Sequence, residues 1–180
     1  RCTSRGLGDV YKRQPVMVAT SGDLLLEQSA ISTLKEQLIP MADLITPNLP
    51  EGAALIDGAV PENEDQMGNM IEELRALGAK AVLLKGGHLE KDDKSNDLLI
   101  LAQTSELLSA KRFPTKNTHG TGCTLSSAIA SYLAQGNRLH KAVYLGKQYI
   151  SQAIAHADEL NVGTGHGPVH HFFCGHINVR

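Results

Sequence analysis

Cysteine is scarce in this chain of 180 residues: there are three, at Cys2, Cys123 and Cys174. Spacing that wide leaves no disulfide framework and no Cys-x-x-Cys metal site, and a reducing cytoplasm is the natural compartment. Excess charge of either sign is missing too. With 17 Lys and Arg against 19 Asp and Glu, the formal net charge is -2 and the pI about 6.5. That excludes a strongly basic nucleic-acid binder and a polybasic membrane anchor, while leaving room for a local basic site that takes a phosphate. No apolar run approaches the ~18 to 20 residues that a membrane helix needs. Proline occupies only seven positions and hydrophobic residues make up 42%, which argues against long disorder. What is present suits one domain, since a chain of this size can bury roughly 70% of its unfolded surface.

Residues 1–14 lack an initiating Met, hydrophobic periodicity and the apolar segment of a signal peptide. From Pro15 the patterning becomes that of a folded core. The expectation is a non-native leader over 1–14, a domain over 15–173 with no internal repeat or linker, and a tail over 174–180. Residues 15–19 are apolar enough for one buried strand, and the turn Ser21-Gly22-Asp23 follows. Ile31, Leu34 and Leu38 line one face of a helix that Pro40 stops. Residues 43–46 predict a strand closed by Pro47, and 51–56 a short helix. Met67, Met70, Ile71, Leu74 and Leu77 predict an amphipathic helix with Gly78 as its stop. Residues 81–84 read as a buried strand, and 97–102 with 106–113 as a strand pair. Two helices follow, one starting near Thr124 and ending before Gly136, the other carrying Leu139, Ala142, Val143, Ile150 and Ile154. Alternation of helices with continuously apolar strands points to an α/β fold with a mostly parallel sheet. Such sheets bind ligands at the carboxyl ends of their strands.

Three segments at such ends carry chemistry. The first is Asn117-Thr118-His119-Gly120-Thr121-Gly122-Cys123. Its glycines let backbone approach a ligand, and amides converging at a helix N-terminus make an anion hole for a phosphoryl group. It is neither a P-loop nor a dinucleotide fingerprint, because no Lys-Ser/Thr follows and Leu125 stands where a third Gly belongs. A loop that merely begins a helix is the competing reading. Cys123, in the first turn, is either a base or nucleophile, favoured by the low thiol pKa that helix N-termini promote, or a small buried hydrophobe. The second segment, residues 46–51, offers Asn48 and Glu51 as oxygen donors for Mg²⁺ beside a nucleotide; the competing reading makes Asn48 a helix cap with Pro50 and Glu51 in the first turn. The third is Lys85-Gly86-Gly87-His88, either a phosphate contact or a tight turn with a solvated Lys. Lys147, mid-helix, reads as a surface charge. His166, His170, His171 and His176 have no Cys or carboxylate partner at metal-ligand spacing. His119, four residues before Cys123, invites a Cys–His hydrolase reading, but that spacing guarantees no hydrogen bond.

In order along the chain, residues 16–18, 21–23, 44–51, 82–89, 115–124 and 167–172 resemble the bacterial bifunctional hydroxymethylpyrimidine/phosphomethylpyrimidine kinases of thiamine biosynthesis, within the ribokinase-like superfamily. The block Thr115 to Thr124 is the most specific, with Cys123 where most ribokinase-like enzymes carry Asp. The resemblance implies a three-layer α/β/α fold with a mostly parallel central sheet, here without its N-terminal strands. It implies ATP and Mg²⁺, a small pyrimidine substrate, no nucleic-acid or membrane partner, a cytoplasmic location, and leaves open a homodimer of the full-length enzyme. Carried over residue by residue, Gly120, Thr121 and Gly122 form the anion hole and Cys123 is the catalytic base. Asn48 and Glu51 stand near Mg²⁺, and Lys85, Thr118 and Lys147 approach the nucleotide. Two departures stand out: Gln14 replaces the family's Asp before Pro-Val-Met, and the family's N-terminal portion, which holds most of the pyrimidine pocket, is missing. The expectation is therefore a weakly active or inactive partial kinase domain over 15–173 that exposes apolar sheet edge. A Cys-type pyridoxal kinase and a non-catalytic nucleotide-binding module are the alternatives.

Overall fold

The structure, a computed structural model, describes residues 12–13, 28–87, 89 and 93–173. The strand expected over 15–19, the turn at 21–23, and Gln14, His88 and His176 lie outside the described residues. The chain forms two compact units, Arg1–Ser109 and Ala110–Arg180.

The first unit is built on a five-stranded sheet. Its strands are β1 (Lys12–Arg13), β2 (Leu44–Ile45), β3 (Ala81–Lys85), β4 (Asp97–Leu101) and β5 (Ser105–Leu108), and they lie in that order. The first three run parallel, while β3–β4 and β4–β5 are antiparallel. The α/β class is as expected, but the sheet is mixed where patterning points to a mostly parallel one. The physical reason is connection length. Only residues 102–104 join β4 to β5, enough for a hairpin and far too few for a crossover. Both β3 and β4 are buried along nearly their whole length, which is why each reads as a continuous apolar run.

Helices pack on this sheet with a shared core that includes Ile31, Ile39, Ile45, Leu55, Leu74 and Leu84. The helix α1 (Gln28–Thr33) widens into a π-helical turn over Leu34–Leu38, then tightens into a 3₁₀ turn over Ile39–Met41. Pro40 sits inside that last turn rather than beyond it, because its missing N–H costs nothing at the start of a new turn. The widening keeps Ile31 and Ile39 both buried. Helix α2 (Leu49–Leu55) starts two residues earlier than expected, capped by Asn48. The single helix expected over 67–77 is two, α3 (Glu64–Asn69) and α4 (Ile71–Ala76), broken at Met70. Met67, Met70 and Leu74 are all buried, so the apolar face survives the break. Gly78, at φ +86, ends α4.

The second unit holds α5 (Thr121–Ala134) and α6 (Leu139–Ala155), followed by a 3₁₀ turn over Ala157–Glu159. The two helices approach closely at Gly146, where a Cβ would lie 2.5 Å from Ile129 Cγ1. Helix α5 begins three residues before the expected Thr124, so Thr121, Gly122 and Cys123 belong to its first turn. A parallel bridge joins His119 to Pro168, tying the loop before α5 to the chain after α6.

Candidate functional site

In the first unit, chemistry gathers at the carboxyl ends of β2 and β3. Asn48 Oδ1 accepts from the Glu51 N–H at 2.8 Å, and Glu51 Oε2 accepts from the Asn48 N–H at 2.8 Å. This capping box satisfies two donors of α2 that would otherwise be orphaned. Glu51 as a residue is nonetheless only 3% exposed, and among the described residues the cap engages its Oε2. Lys85 is brought alongside. Its N–H donates to the Pro47 carbonyl at 2.9 Å, and its Nζ donates to the Thr46 carbonyl at 2.6 Å. Among the described residues the buried hydroxyl of Thr46 has no hydrogen-bond partner. Asn48, Glu51 and Lys85, distant in sequence, are therefore neighbours.

Asp97 is a residue that sequence patterning passes over. It heads the apolar run of β4, stands directly across from Lys85 in the ladder, is buried, and accepts from the Gly86 N–H at 3.0 Å. A Cβ at Gly86 would lie 2.0 Å from the Asn96 carbonyl oxygen, so the turn after Lys85 requires glycine. An acid opening a strand has no periodic signature; only the pairing with β3 reveals its place.

In the second unit, Gly120 caps α5 at φ +80, a conformation glycine adopts without strain. Among the described residues, the N–H groups of Gly120, Gly122 and Cys123 have no acceptor. Thr121 differs: its N–H and its Oγ1 both turn back to the Thr118 carbonyl, at 3.3 and 2.7 Å. Three unpaired amides thus sit at the positive end of a 14-residue helix, the arrangement that holds anions. Cys123 is a free, exposed thiol rather than a buried hydrophobe. It opens on a cavity of about 590 Å³ lined by Gly120, Ser127, Ser131, Tyr149 and His171.

Lys147, expected as a surface charge, is buried at 8% exposure. A long apolar stem lets a lysine take such a place. No hydrogen bond links His119 to Cys123 among the described residues; His119 instead uses its backbone, donating to the Gly167 carbonyl at 3.1 Å. Among the described residues no three His, Cys, Asp or Glu side chains form a metal-binding group, and no helix is long and apolar enough to cross a membrane.

A family model described as phosphomethylpyrimidine kinase matches residues 11–170. The hydroxymethylpyrimidine/phosphomethylpyrimidine kinase of Rhizobium meliloti is 49% identical over 158 residues, covering 88% of this chain and 59% of the relative. Its counterpart in Escherichia coli is 48% identical over 157 residues, covering 87% of this chain and 59% of the relative. Among solved structures, a pyridoxal kinase from Staphylococcus aureus in complex with AMP-PCP superposes with a TM-score of 0.84 at 30% identity, over 94% of this chain and 60% of that one. The chain thus spans 59% of the length of these curated relatives.

Proposed function

The chain belongs to the phosphomethylpyrimidine kinase family, and from that premise we propose that it transfers the γ-phosphoryl group of ATP to the hydroxymethyl oxygen of 4-amino-5-hydroxymethyl-2-methylpyrimidine and then to the resulting monophosphate, a cytoplasmic step of thiamine biosynthesis. The observation that carries this reading is the set of acceptor-free amides of Gly120, Gly122 and Cys123 beside an exposed thiol. Phosphoryl transfer asks the protein chiefly for positioning and charge stabilisation. The amides at the start of α5 hold the equatorial oxygens of the transferring group. Cys123 Sγ takes the proton of the acceptor hydroxyl as that oxygen bonds to the γ-phosphorus. The bond from the γ-phosphorus to the bridging oxygen breaks, and ADP leaves. Lys85, Lys147 and Thr118 are the family-matched contacts to the nucleotide.

The Asn48–Glu51 motif fits Mg²⁺. Glu51 is nearly buried as a residue and gives Oε2 to the cap, which leaves Oε1 outside it, and Mg²⁺ typically takes one or two carboxylates together with substrate phosphates. Glu51 would hold the ion, with Asn48 fixing the carboxylate through the cap. When bound, it supplies charge neutralisation at the phosphates. Pyrimidine is preferred to pyridoxal as substrate because the pyrimidine kinases named above are 48–49% identical to this chain, against 30% for the pyridoxal kinase.

Replacing Cys123 tests the reading. In a full-length enzyme, Cys123→Ala lowers turnover of the pyrimidine by about 10²- to 10⁴-fold, the range of general-base contributions, while calorimetric ATP affinity holds. Turnover equal to the parent's removes the base role, and faster turnover of pyridoxal than of the pyrimidine replaces the substrate.

A further inference from the structure

The loop that delivers the chain to Gly120 has no regular secondary structure, yet its backbone has to present three unpaired amides in one direction. Its restraint comes from chain that follows α6. Asn117 lies at the centre. Its Oδ1 accepts from the Gly167 N–H at 2.8 Å, and its Nδ2 donates to Asp158 Oδ1 at 2.9 Å. The same Asp158 oxygen accepts from Thr115 Oγ1, which in turn accepts from the Asn117 N–H at 3.0 Å. Gly167 is held close: a Cβ there would lie 2.5 Å from Asn117 Oδ1. Beyond it, the His119 N–H donates to the Gly167 carbonyl at 3.1 Å and the Val169 N–H to the His119 carbonyl at 3.4 Å. The His170 N–H bonds the Ala153 carbonyl at 2.9 Å, anchoring this segment to the end of α6. The polarity of the amide is dictated by its partners, because a backbone N–H can only donate and an ionised carboxylate can only accept.

We propose that Asn117 is a positioning residue: clamped between Asp158 and Gly167, it locks the loop over residues 115–119 so that the Gly120, Gly122 and Cys123 amides stand preorganised. Neither the family match nor the sequence motif assigns Asn117 or Asp158 a role. The inference rests on the phosphate-gripping reading only for what the clamp serves. Preorganised donors are worth more than mobile ones because no reorganisation is needed when charge develops.

The polarity supplies the test. Asn117→Asp keeps the acceptor for Gly167 but sets a carboxylate against Asp158, so the clamp opens. Adding Asp158→Asn returns a donor: the new amide can serve both the carboxylate introduced at position 117 and Thr115 Oγ1, and the clamp closes again. Two readouts on the full chain, both by NMR, separate the levels. In the single variant, hydrogen exchange of the bonded amides of Thr118, His119 and Thr121 rises about tenfold or more, as expected when local opening becomes easier; in the double variant it returns to near the parent's rate, and exchange in the middle of α6 stays unchanged throughout. Affinity for inorganic phosphate, read from the Gly120, Gly122 and Cys123 amide shifts, follows the same order. Unaltered exchange in the single variant, failure of the double variant to recover, or loss of protection throughout α6 overturns the proposal. If the parent's amides ignore phosphate while the exchange pattern holds, the anion reading falls and the clamp stands.

Discussion

Glu51, nearly buried as a residue, contributes one carboxylate oxygen to a helix cap. The cap and the proposed Mg²⁺ contact separate by mutation. Glu51→Gln retains an acceptor for the Asn48 N–H but loses the charge; its thermal stability should match the parent's, while Mg²⁺-dependent ATP affinity falls about tenfold, the loss of roughly one charge-assisted contact. Glu51→Ala should lose the affinity and about 1 kcal/mol of stability with the cap. Equal ATP affinity in Glu51→Gln, measured by calorimetry with and without Mg²⁺, would assign the residue to capping alone. The cap was legible from the Asn-x-x-Glu spacing, because capping is local. Lys147 was not: lysine on an amphipathic helix reads as solvated, and only the folded structure reveals that this one is buried.

The pair of α5 and α6 depends on one missing side chain. At Gly146 the helices come so near that an added methyl would meet Ile129 Cγ1 at 2.5 Å and the Ile129 backbone nitrogen at 3.4 Å. The near contact is a branched side chain in the core, and the next is backbone, so the helices have to separate. Gly146→Ala should therefore destabilise by about 1–3 kcal/mol despite the better helix propensity of Ala, seen as a lower midpoint in urea unfolding followed by circular dichroism. A midpoint at or above the parent's means that propensity outweighs the clash. Periodicity located both helices, since buried Leu125 and Ile129 on α5 and Val143 and Ile150 on α6 recur at helical spacing. It joined α3 and α4 into one helix because Met67, Met70 and Leu74 keep a common face through the break at Met70. Burial pattern reports which side faces the core; it is blind to a single interrupted turn.

Across the molecule, charge is close to balanced at -2, so a nucleotide gains no long-range attraction from the protein as a whole. On the proposed reading, attraction is left to local donors: the α5 amides, the half-buried Lys85 and the buried Lys147. Partly buried groups are screened far less than exposed ones. ATP affinity measured by calorimetry should therefore fall by less than about tenfold between roughly 0.05 and 0.5 M NaCl, where exposed charges would be largely screened. A steeper loss would place the binding on exposed lysines instead.

Features that depend on neighbours in sequence were readable from the residues alone: the α/β class, most elements to within a few positions, the Asn48–Glu51 cap, and the Gly-Thr-Gly-Cys start of a helix. Each follows from local sterics, hydrogen bonding or the period of an apolar face. Folding was needed to put Lys85 against the Thr46 carbonyl, Asp97 beneath Gly86, and Asn117 between Asp158 and Gly167. Those contacts join segments 11 to 50 residues apart. Their partners are chosen by strand pairing and by how chain after α6 returns over a loop, and no pattern along the chain encodes which distant donor meets which acceptor.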